Sequence, residues 1–573
     1  MKQIMLGNQA FAQGAYEAGV GFISSYPGTP STEISEYAAN YSEIDVQWAP
    51  NEKVALESAV GASMGGMRAM SCMKHVGLNV AADPLFTSAY IGVNAGLVVI
   101  VADDPGCHSS QNEQDSRYYA MAAGLPMVEP SDSTEARDFV KAAYALSEKY
   151  NTPVLIRSNT RLGHSRGIVD AMDRTEAPLR EYVKNTQAHV MMPAMAVRAH
   201  VVLENRINQI KADGCDLNRI EMRSEKVGVI TSGVAYQYVR EAMPEASILK
   251  LGLVFPLDEK IIREFAEKVE TLYVIEELEP IFEMQIRAMG IELKGKELFT
   301  IQGEYSANML KEALTGEKTE FTTPGAIPAR PPIMCPGCPH RGVYYLLSKH
   351  KYTVCGDIGC YTLGALAPLA AMDTCLCMGA SIPMAGGMEK ARGSEFAKKL
   401  VAVIGDSTFL HSGMTGLLNL IYNGSTCTVM ILDNSTTGMT GHQDNPATGK
   451  NAKGNEAPAV DLEALVRAIG VKRVRTVDPF DLPGMEAALK EESACGELSV
   501  IISKRACALI DKTKKPLYES TDKCRNCGMC MRLGCPAILK LEKGVKIVPN
   551  MCAGCGLCAS VCPFDAIAEV MKK

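Results

Sequence analysis

Eight of the chain's twenty cysteines lie between Cys524 and Cys562, and their spacing limits what this end of the chain can fold around. It reads Cys524-Arg-Asn-Cys527-Gly-Met-Cys530 and then Cys535-Pro536, followed by Cys552-Ala-Gly-Cys555-Gly-Leu-Cys558 and then Cys562-Pro563. In a secreted chain such a density would signal disulfides. The stretch from Met1 to Val20, however, carries Gln3, Asn8, Gln9 and Gln13 and too little apolar length for a signal peptide. The expectation is a cytoplasmic chain whose thiols stay reduced and bind metal. Zinc sites usually set two ligand pairs apart by a longer loop and make no use of a Cys-Pro ending.

Three cysteines at two-residue intervals can wrap one corner of an iron–sulfur cubane, and a fourth followed by proline can reach across. In two-cluster ferredoxins that fourth cysteine ligates the other cluster. The tail is thus expected to hold two [4Fe–4S] clusters. One would sit on Cys524, Cys527, Cys530 and Cys562, the other on Cys552, Cys555, Cys558 and Cys535. The second half follows bacterial ferredoxin spacing, whereas the first has four residues rather than three before Cys535. From Ser520 to Lys573 there are eight Lys/Arg and four Asp/Glu, which offset the charge of about −2 on each thiolate-bound cluster. Such a pair relays electrons without choosing a substrate.

Upstream, Leu400-Val-Ala-Val-Ile404 reads as a strand of a buried parallel sheet and ends in Gly405-Asp406-Ser407. Asn434 follows 28 residues after Asp406, closing a second apolar run from Cys427 to Leu432. This is similar to the thiamine diphosphate motif, Gly-Asp-Gly followed by Asn-Asn, with Ser407 in place of the third glycine and Asp433 in place of the first asparagine. Magnesium takes hard oxygen ligands and is often shared with phosphates. Asp406, the Asn434 amide oxygen and the Thr436 carbonyl would supply them at the carboxyl ends of parallel strands. Against this stands the ordinary use of strand-end Asp and Asn as helix caps. Gly379 and Ser381, opening a glycine-rich run to Gly387, would let the backbone approach the diphosphate, or serve close helix–strand packing.

Thiamine diphosphate needs a second domain whose glutamate contacts its aminopyrimidine ring and helps activate it. Asn51-Glu52-Lys53-Val54-Ala55, after the short strand Val46–Trp48, supplies Glu52; Glu57 is the alternative. A first-turn glutamate also simply suits a helix dipole.

Length allows about three or four domains at roughly 100–200 residues each. The net charge of −7, without a Lys/Arg run, gives no footprint for nucleic acid. The longest weakly charged stretch, Thr362–Met388, is broken by Asp373, Pro368, Pro383 and several glycines, so no membrane span of about 20 apolar residues is expected.

In this order the motifs resemble the 2-oxoacid:ferredoxin oxidoreductases, and within them the large subunit of the indolepyruvate branch. Tyr26-Pro27-Gly28-Thr29-Pro30-Ser31 is similar to that family's Tyr-Pro-x-Thr-Pro-Ser turn, whose threonine lies near cofactor and substrate. Lys74-His75-Val76-Gly77-Leu78-Asn79 resembles a segment of the indolepyruvate branch. Cys335-Pro-Gly-Cys338-Pro-His-Arg341 and Gly356-Asp-Ile-Gly-Cys360 open the diphosphate domain in the same way. The resemblance implies an α/β chain of two thiamine diphosphate-binding folds, a transketolase C-terminal-like α/β domain and a small two-cluster ferredoxin domain. The expected boundaries are 1–185 for the pyrimidine-binding domain, 186–321 for a connecting segment and the transketolase-like domain, 322–515 for the diphosphate and magnesium domain, and 516–573 for the ferredoxin domain. Thr322–Pro332 reads as a Pro-rich linker.

The implied reaction is oxidative decarboxylation of an arylpyruvate such as indolepyruvate. The acyl group passes to coenzyme A and electrons leave through the clusters to external ferredoxin. The family's small (beta) subunit has no counterpart in this chain, so a separate partner and a hetero-oligomer are expected. The competing readings are a ferredoxin oxidoreductase for another 2-oxoacid such as pyruvate, a non-oxidative thiamine decarboxylase, and an electron-transfer scaffold without catalysis. In related pyruvate enzymes a cluster lies close to thiamine. Cys335, Cys338, Cys360 and Cys507 are the candidates for a third cluster here, set against reduced structural cysteines. His75 is a candidate for moving protons or meeting the substrate carboxylate, or a packing histidine. Arg117 is either a substrate contact or a solvated loop cation. His411 and His442 flank the magnesium motif.

Overall fold

The computed structural model describes residues 1–318, 325, 328, 331–513 and 515–570. It divides into two compact units, Met1–Pro324 and Gly325–Lys573. The linker expected over Thr322–Pro332 falls mostly outside the described residues.

The first unit is built on a seven-stranded sheet in the spatial order Leu253–Phe255, Met127–Val128, Val154–Asn159, Leu97–Asp103, Ala69–Lys74, Phe22–Ser25, Asp45–Trp48. Its strands run parallel except the first, which pairs antiparallel with Met127–Val128. Leu97–Asp103 is buried along its whole length, as a central parallel strand covered on both faces must be. Helix Ser133–Tyr150 starts where the Asp132 carboxylate accepts from the Glu135 amide at 2.9 Å, satisfying one of the donors that a helix leaves unpaired at its first turn. A second sheet runs Thr271–Ile275, Val227–Ser232, Ser247–Leu251, Arg219–Glu221.

The two sequence segments on either side of residue 185 are closely joined. Residues 253–255 extend the sheet formed by the N-terminal segment. Leu56, Met73 and Leu125 share one apolar core with Leu249, Phe265 and Phe282. Across this core runs a buried ion network. Arg117 reaches Asp115 at 2.6 Å and Glu276 at 2.5 Å, and Arg157 reaches Asp103 at 2.7 Å and Glu129 at 2.5 Å. Arg117 is only 1% exposed. It is neither a solvated loop cation nor available to a substrate, because a guanidinium can be buried only with its charge and donors paired.

The second unit carries an all-parallel six-stranded sheet in the order Thr374–Cys375, Thr353–Gly356, Leu400–Gly405, Thr428–Asp433, Ser499–Lys504, Arg473–Val477. The cysteine-rich tail adds two short antiparallel pairs, Tyr518–Ser520 with Ile567–Glu569 and Ile538–Lys540 with Val545–Ile547. It packs on the sheet domain through Leu533 and Leu557, which join the core of Val343, Tyr344 and Leu482. Arg341, 2% exposed, clamps the junction by donating to the carbonyls of Leu533 at 2.6 Å, Met334 at 2.7 Å and Cys335 at 3.0 Å. Among the described residues no helix is long and apolar enough to cross a membrane.

Removing one partner of a buried ion pair typically costs about 3–5 kcal/mol, because the other charges stay buried. Arg117→Met, which strands Asp115 and Glu276, should therefore lower unfolding stability by about that amount in urea titrations. A loss below about 1 kcal/mol would mean that the network contributes no more than an exposed pair.

Candidate active site and metal centres

In the first unit the candidate residues follow the carboxyl ends of three neighbouring strands. Strand Phe22–Ser25 leads into the turn holding Thr29, Asp45–Trp48 into Glu52, and Ala69–Lys74 into His75. Pairing of Ser25 with both Trp48 and Cys72 aligns these ends. Asn51 caps the helix Glu52–Met64 by accepting from the Val54 amide, which fixes Glu52 at its first helical position. Glu52 is buried, whereas Glu57 is exposed and ion-paired with Lys53 one turn earlier. A Cβ on Gly77 would lie 2.6 Å from Glu52 Oε1, so only glycine lets the His75 helix come this close to the carboxylate. His75 is 1% exposed, and neither ring nitrogen has a hydrogen-bond partner.

Lys74 is a feature that the sequence reading passed over. It lies against Gly28, whose added Cβ would meet Lys74 Cβ at 3.2 Å, and its ammonium donates to the Ser109 carbonyl at 2.7 Å. Burial pulls its pKa down to about 8, against the opposing pull of Asp104.

In the second unit the candidate cation ligands converge. The Asn434 amide group lies 3.2 Å from Asp406 Oδ1 and 2.8 Å from the Thr436 carbonyl oxygen. With the amide nitrogen turned inward, both contacts are hydrogen bonds; with the oxygen inward, three oxygens face one another as a hard cation requires. Asp406 Oδ2 is buried without a partner. Burial, and then the neighbouring Asp433 carboxylate, push the Asp406 pKa up to about 7. Ser407 stands where the motif has glycine and accepts from the Thr437 hydroxyl at 3.0 Å, tying the two motif loops together.

Gly379 and Ser381 are held by a residue that the sequence reading quoted without assigning a role. Asp357, fully buried at the end of the adjacent strand, accepts from the amides of Gly379 at 2.9 Å and Ser381 at 3.0 Å. Gly379 has φ +85, and an added Cβ would lie 2.5 Å from Ser412 Cβ. Ser381 opens helix Ser381–Arg392, and its hydroxyl is buried without a partner. His411 contacts Ser412 within the helical turn Phe409–Gly413, while His442 is half-buried near Gly438.

The tail cysteines gather in two sets. Cys530 is raised by burial, and Cys524, Cys527 and Cys562 act on it. These four line one small apolar cavity together with Val545, Phe564 and Ile567. Cys558 is pushed to about 12 by burial and then by Cys555, Cys535 and Cys552. A third set lies on the sheet domain. Burial raises Cys338 to about 12, with Cys335 and Cys360 adding to it, and raises Cys360 to about 11, with Cys507 and Cys335 adding to it. Among the described residues, no three His, Cys, Asp or Glu side chains close on a single-ion site. The tail sulfurs of the first set ring a cavity instead, which fits a polynuclear centre.

These sets are neighbours. A Cβ on Gly438 would lie 3.5 Å from the Asn434 amide and 3.5 Å from Cys360 Sγ. A Cβ on Gly337, between Cys335 and Cys338, would lie 2.7 Å from Ala553 Cβ and 3.9 Å from Cys555 Cβ.

Three family models match the chain: "Pyruvate flavodoxin/ferredoxin oxidoreductase, thiamine diP-bdg" over residues 13–226, "Thiamine pyrophosphate enzyme, C-terminal TPP binding domain" over 357–503, and "4Fe-4S binding domain" over 545–568. The chain is 37% identical to indolepyruvate oxidoreductase subunit IorA of Archaeoglobus fulgidus, over 99% of this chain and 97% of that one. It is 39% identical to the subunit of the same name from Methanothermobacter thermautotrophicus, with the same coverage. The chain belongs to the IorA family of 2-oxoacid:ferredoxin oxidoreductases. IorA-family membership brings thiamine diphosphate and iron–sulfur clusters with it, and the α/β fold expected from the sequence stands. The 4Fe-4S match covers Cys552, Cys555, Cys558 and Cys562 but not the half from Cys524 to Cys535, whose spacing is non-standard.

A cation held at Asp406 would require its carboxyl to have lost the proton. Divalent-cation-dependent thiamine diphosphate affinity should therefore rise with pH by about tenfold per unit up to about pH 7 and level off above it. Calorimetry in buffers of different ionisation heat should read proton release below that point. Asp406→Asn should remove both the cation dependence and the slope. An affinity flat between about pH 6 and 8 would contradict the assignment.

Proposed function

We propose that this chain is the catalytic subunit of a ferredoxin-dependent arylpyruvate oxidoreductase, converting indolepyruvate, coenzyme A and oxidised ferredoxin to indoleacetyl-CoA, CO2 and reduced ferredoxin. The observation that carries the reading is the contiguity of Asn434, Gly438 and Cys360, and then of Gly337 and Cys555, within one folded unit. A non-oxidative decarboxylase would need no such path away from its cofactor, and an electron scaffold would need no convergence of Asp406, Asn434 and Thr436. The aryl substrate rests on the name of the relatives, which match along nearly the whole chain. Subunit KorA of a 2-oxoglutarate synthase, by contrast, matches 30% of it.

Thiamine diphosphate, when bound, supplies the carbanion chemistry that releases CO2 and leaves two electrons to be removed. The residues proposed to hold it are Asp406, Asn434 and the Thr436 carbonyl for Mg2+, with Gly379, Ser381, Gly405 and Ser407 around the diphosphate. Within the first unit, Glu52 is the buried acid proposed to take and return a proton, and Thr29 and His75 follow the ends of the same set of strands. Arg117 is locked in ion pairs, and Lys74, held at these strand ends by the Ser109 carbonyl, is the cation we propose for a substrate carboxylate. We assign [4Fe–4S] clusters to Cys524, Cys527, Cys530 and Cys562, to Cys552, Cys555, Cys558 and Cys535, and a third to Cys335, Cys338, Cys360 and Cys507. The relatives' designation as subunits supports a separate small partner and a hetero-oligomer.

Two measurements test the proposal. With the partner subunit, coenzyme A and ferredoxin supplied anaerobically, aryl 2-oxoacids should reduce ferredoxin faster than pyruvate or 2-oxoglutarate, and Glu52→Gln should lower the rate by at least about a hundredfold. A preference for the small 2-oxoacids would overturn the substrate assignment. The purified chain should carry about twelve irons, and Cys360→Ser about eight with both tail signals intact in electron paramagnetic resonance. Eight irons in the unmodified chain would remove the third cluster.

A further inference from the structure

We infer that the tail delivers its electrons through a basic face around Cys527, formed by Lys523, Arg525 and Lys543, and that this face docks an acidic one-electron carrier protein of the ferredoxin type. The inference rests on the proposed function for the direction of electron flow. It adds where the carrier lands.

The two tail sets are not equivalent. The set containing Cys552, Cys555 and Cys558 faces the sheet domain. Ala553 and Cys555 lie against Gly337, Leu557 is in the sheet-domain core, and Gly534, just before Cys535, packs on Pro368. Electrons coming from the cofactor side therefore meet this set first. Cys524, Cys530 and Cys562 pack in the tail's own cluster of Ile538, Val545, Ile547 and Ile567, which Cys535, Cys552 and Cys558 share, and of the tail cysteines it is Cys555 and Cys558 that also pack on the sheet-domain core. The set containing Cys527 reaches the surface. Of the eight tail cysteines, Cys527 is the exposed one, and a Cβ on the adjacent Gly528 would meet nothing within 4 Å. Beside Cys524 an open cleft of about 570 Å³ is bounded by Arg525 and Lys543 together with Asp522 and Glu542, so the excess of positive charge comes from Lys523 and the other basic residues around it.

The charge distribution matches this polarity. Residues 522–546 contain Lys523, Arg525, Arg532, Lys540, Lys543 and Lys546 against Asp522 and Glu542, and all six basic residues are exposed. Residues 547–570 contain Asp565 and Glu569 and neither Lys nor Arg. The positive end of the tail is thus the end that reaches solvent, although a thiolate-bound cluster there adds negative charge. Leu541 and Phe564, 46% and 44% exposed, place apolar surface within the basic rim, the composition of a transient docking patch. Complementary charge of this kind accelerates encounter more than it deepens affinity. At each encounter one electron passes to the oxidised carrier. Two carriers are reduced per 2-oxoacid oxidised, and no proton or covalent bond changes hands at this face.

The test uses the whole enzyme with its partner subunit and compares two acceptors: an acidic ferredoxin, which must dock, and methyl viologen, a small cationic dye, which need not. In the combined variant Lys523→Glu, Arg525→Glu, Lys543→Glu, the KM for ferredoxin at low salt should rise by about tenfold or more, while the dye-linked rate does not fall. The difference from the unmodified enzyme should shrink as ionic strength rises, since exposed charges are screened over about 8 Å at 0.15 M. Cluster content is read by iron analysis and electron paramagnetic resonance. If the triple variant loses iron, Lys543→Glu alone, at the hairpin tip, should still raise the ferredoxin KM by about threefold. Unchanged ferredoxin KM in a variant with full iron overturns the docking face. Failure of the unmodified enzyme to reduce dye with any 2-oxoacid overturns the proposed function instead.

Discussion

A carboxylate buried at the end of a parallel strand must be neutralised by a proton, a cation or several donors. Asp406 has too few donors. One oxygen accepts from the Ser407 amide and the other is buried without a partner, and burial with the nearby Asp433 outweighs the Ser435 and Thr436 amides that favour ionisation. The Asn434 amide stands beside it and can turn either its nitrogen or its oxygen inward. The same side chains thus satisfy a protonated site and would equally suit a deprotonated one holding a cation. Asp357 performs the companion task on the next strand, spending its carboxylate oxygens on the amides of Gly379 and Ser381 and so fixing the loop against the motif.

The cysteine sets depend on this edge. Cys507 follows the strand end Lys504, and its amide donates to the Asn434 carbonyl at 3.0 Å. Cys360 follows Asp357 by three residues and meets Gly438, four residues beyond Asn434. The loops that hold Asp357 and Asn434 therefore also carry two of the four thiols of the third set. The other two come from the Cys335–Cys338 turn, which Arg341 ties to the tail. Placement of the thiols is thus a consequence of sheet topology, without a separate scaffold.

Much of this was legible beforehand because it is local. The strands Leu400–Gly405 and Thr428–Asp433 appear as apolar runs, and cysteine spacing encodes which thiols can share a centre. Glu52 could be separated from Glu57 only in part, since burial of one and exposure of the other depends on how the helix packs against Gly77. Arg117 was misread because its burial depends on Glu276, 159 residues away, as well as on the adjacent Asp115, and only the folded chain brings Glu276 to it. Lys74 and Asp357 were in plain view within recognised motifs, yet their roles come from contacts with Ser109 and with the Gly379–Ser381 backbone that only the folded chain brings together. Likewise, nothing in the composition indicated that residues 253–255 would join a sheet made by the N-terminal segment.

The irregular spacing before Cys535 finds its reason in the same junction. A ferredoxin standing alone needs three residues there to carry the chain from the third cysteine to the fourth. Here the four residues Met531–Gly534 also form a docking contact. Leu533 turns its side chain into the sheet-domain core and its carbonyl to Arg341. Gly534, at φ +63, closes the turn in a conformation that favours glycine and lies against Pro368, where an added Cβ would come within 2.8 Å of the ring. The extra residue lets one turn present Cys535 inward and Leu533 outward to the sheet domain. The half of the tail that departs from ferredoxin spacing therefore does so at a junction closed by Arg341 and Pro368, whereas the half from Cys552 to Cys562, which meets the sheet domain through Leu557 and Val561, keeps the ordinary interval.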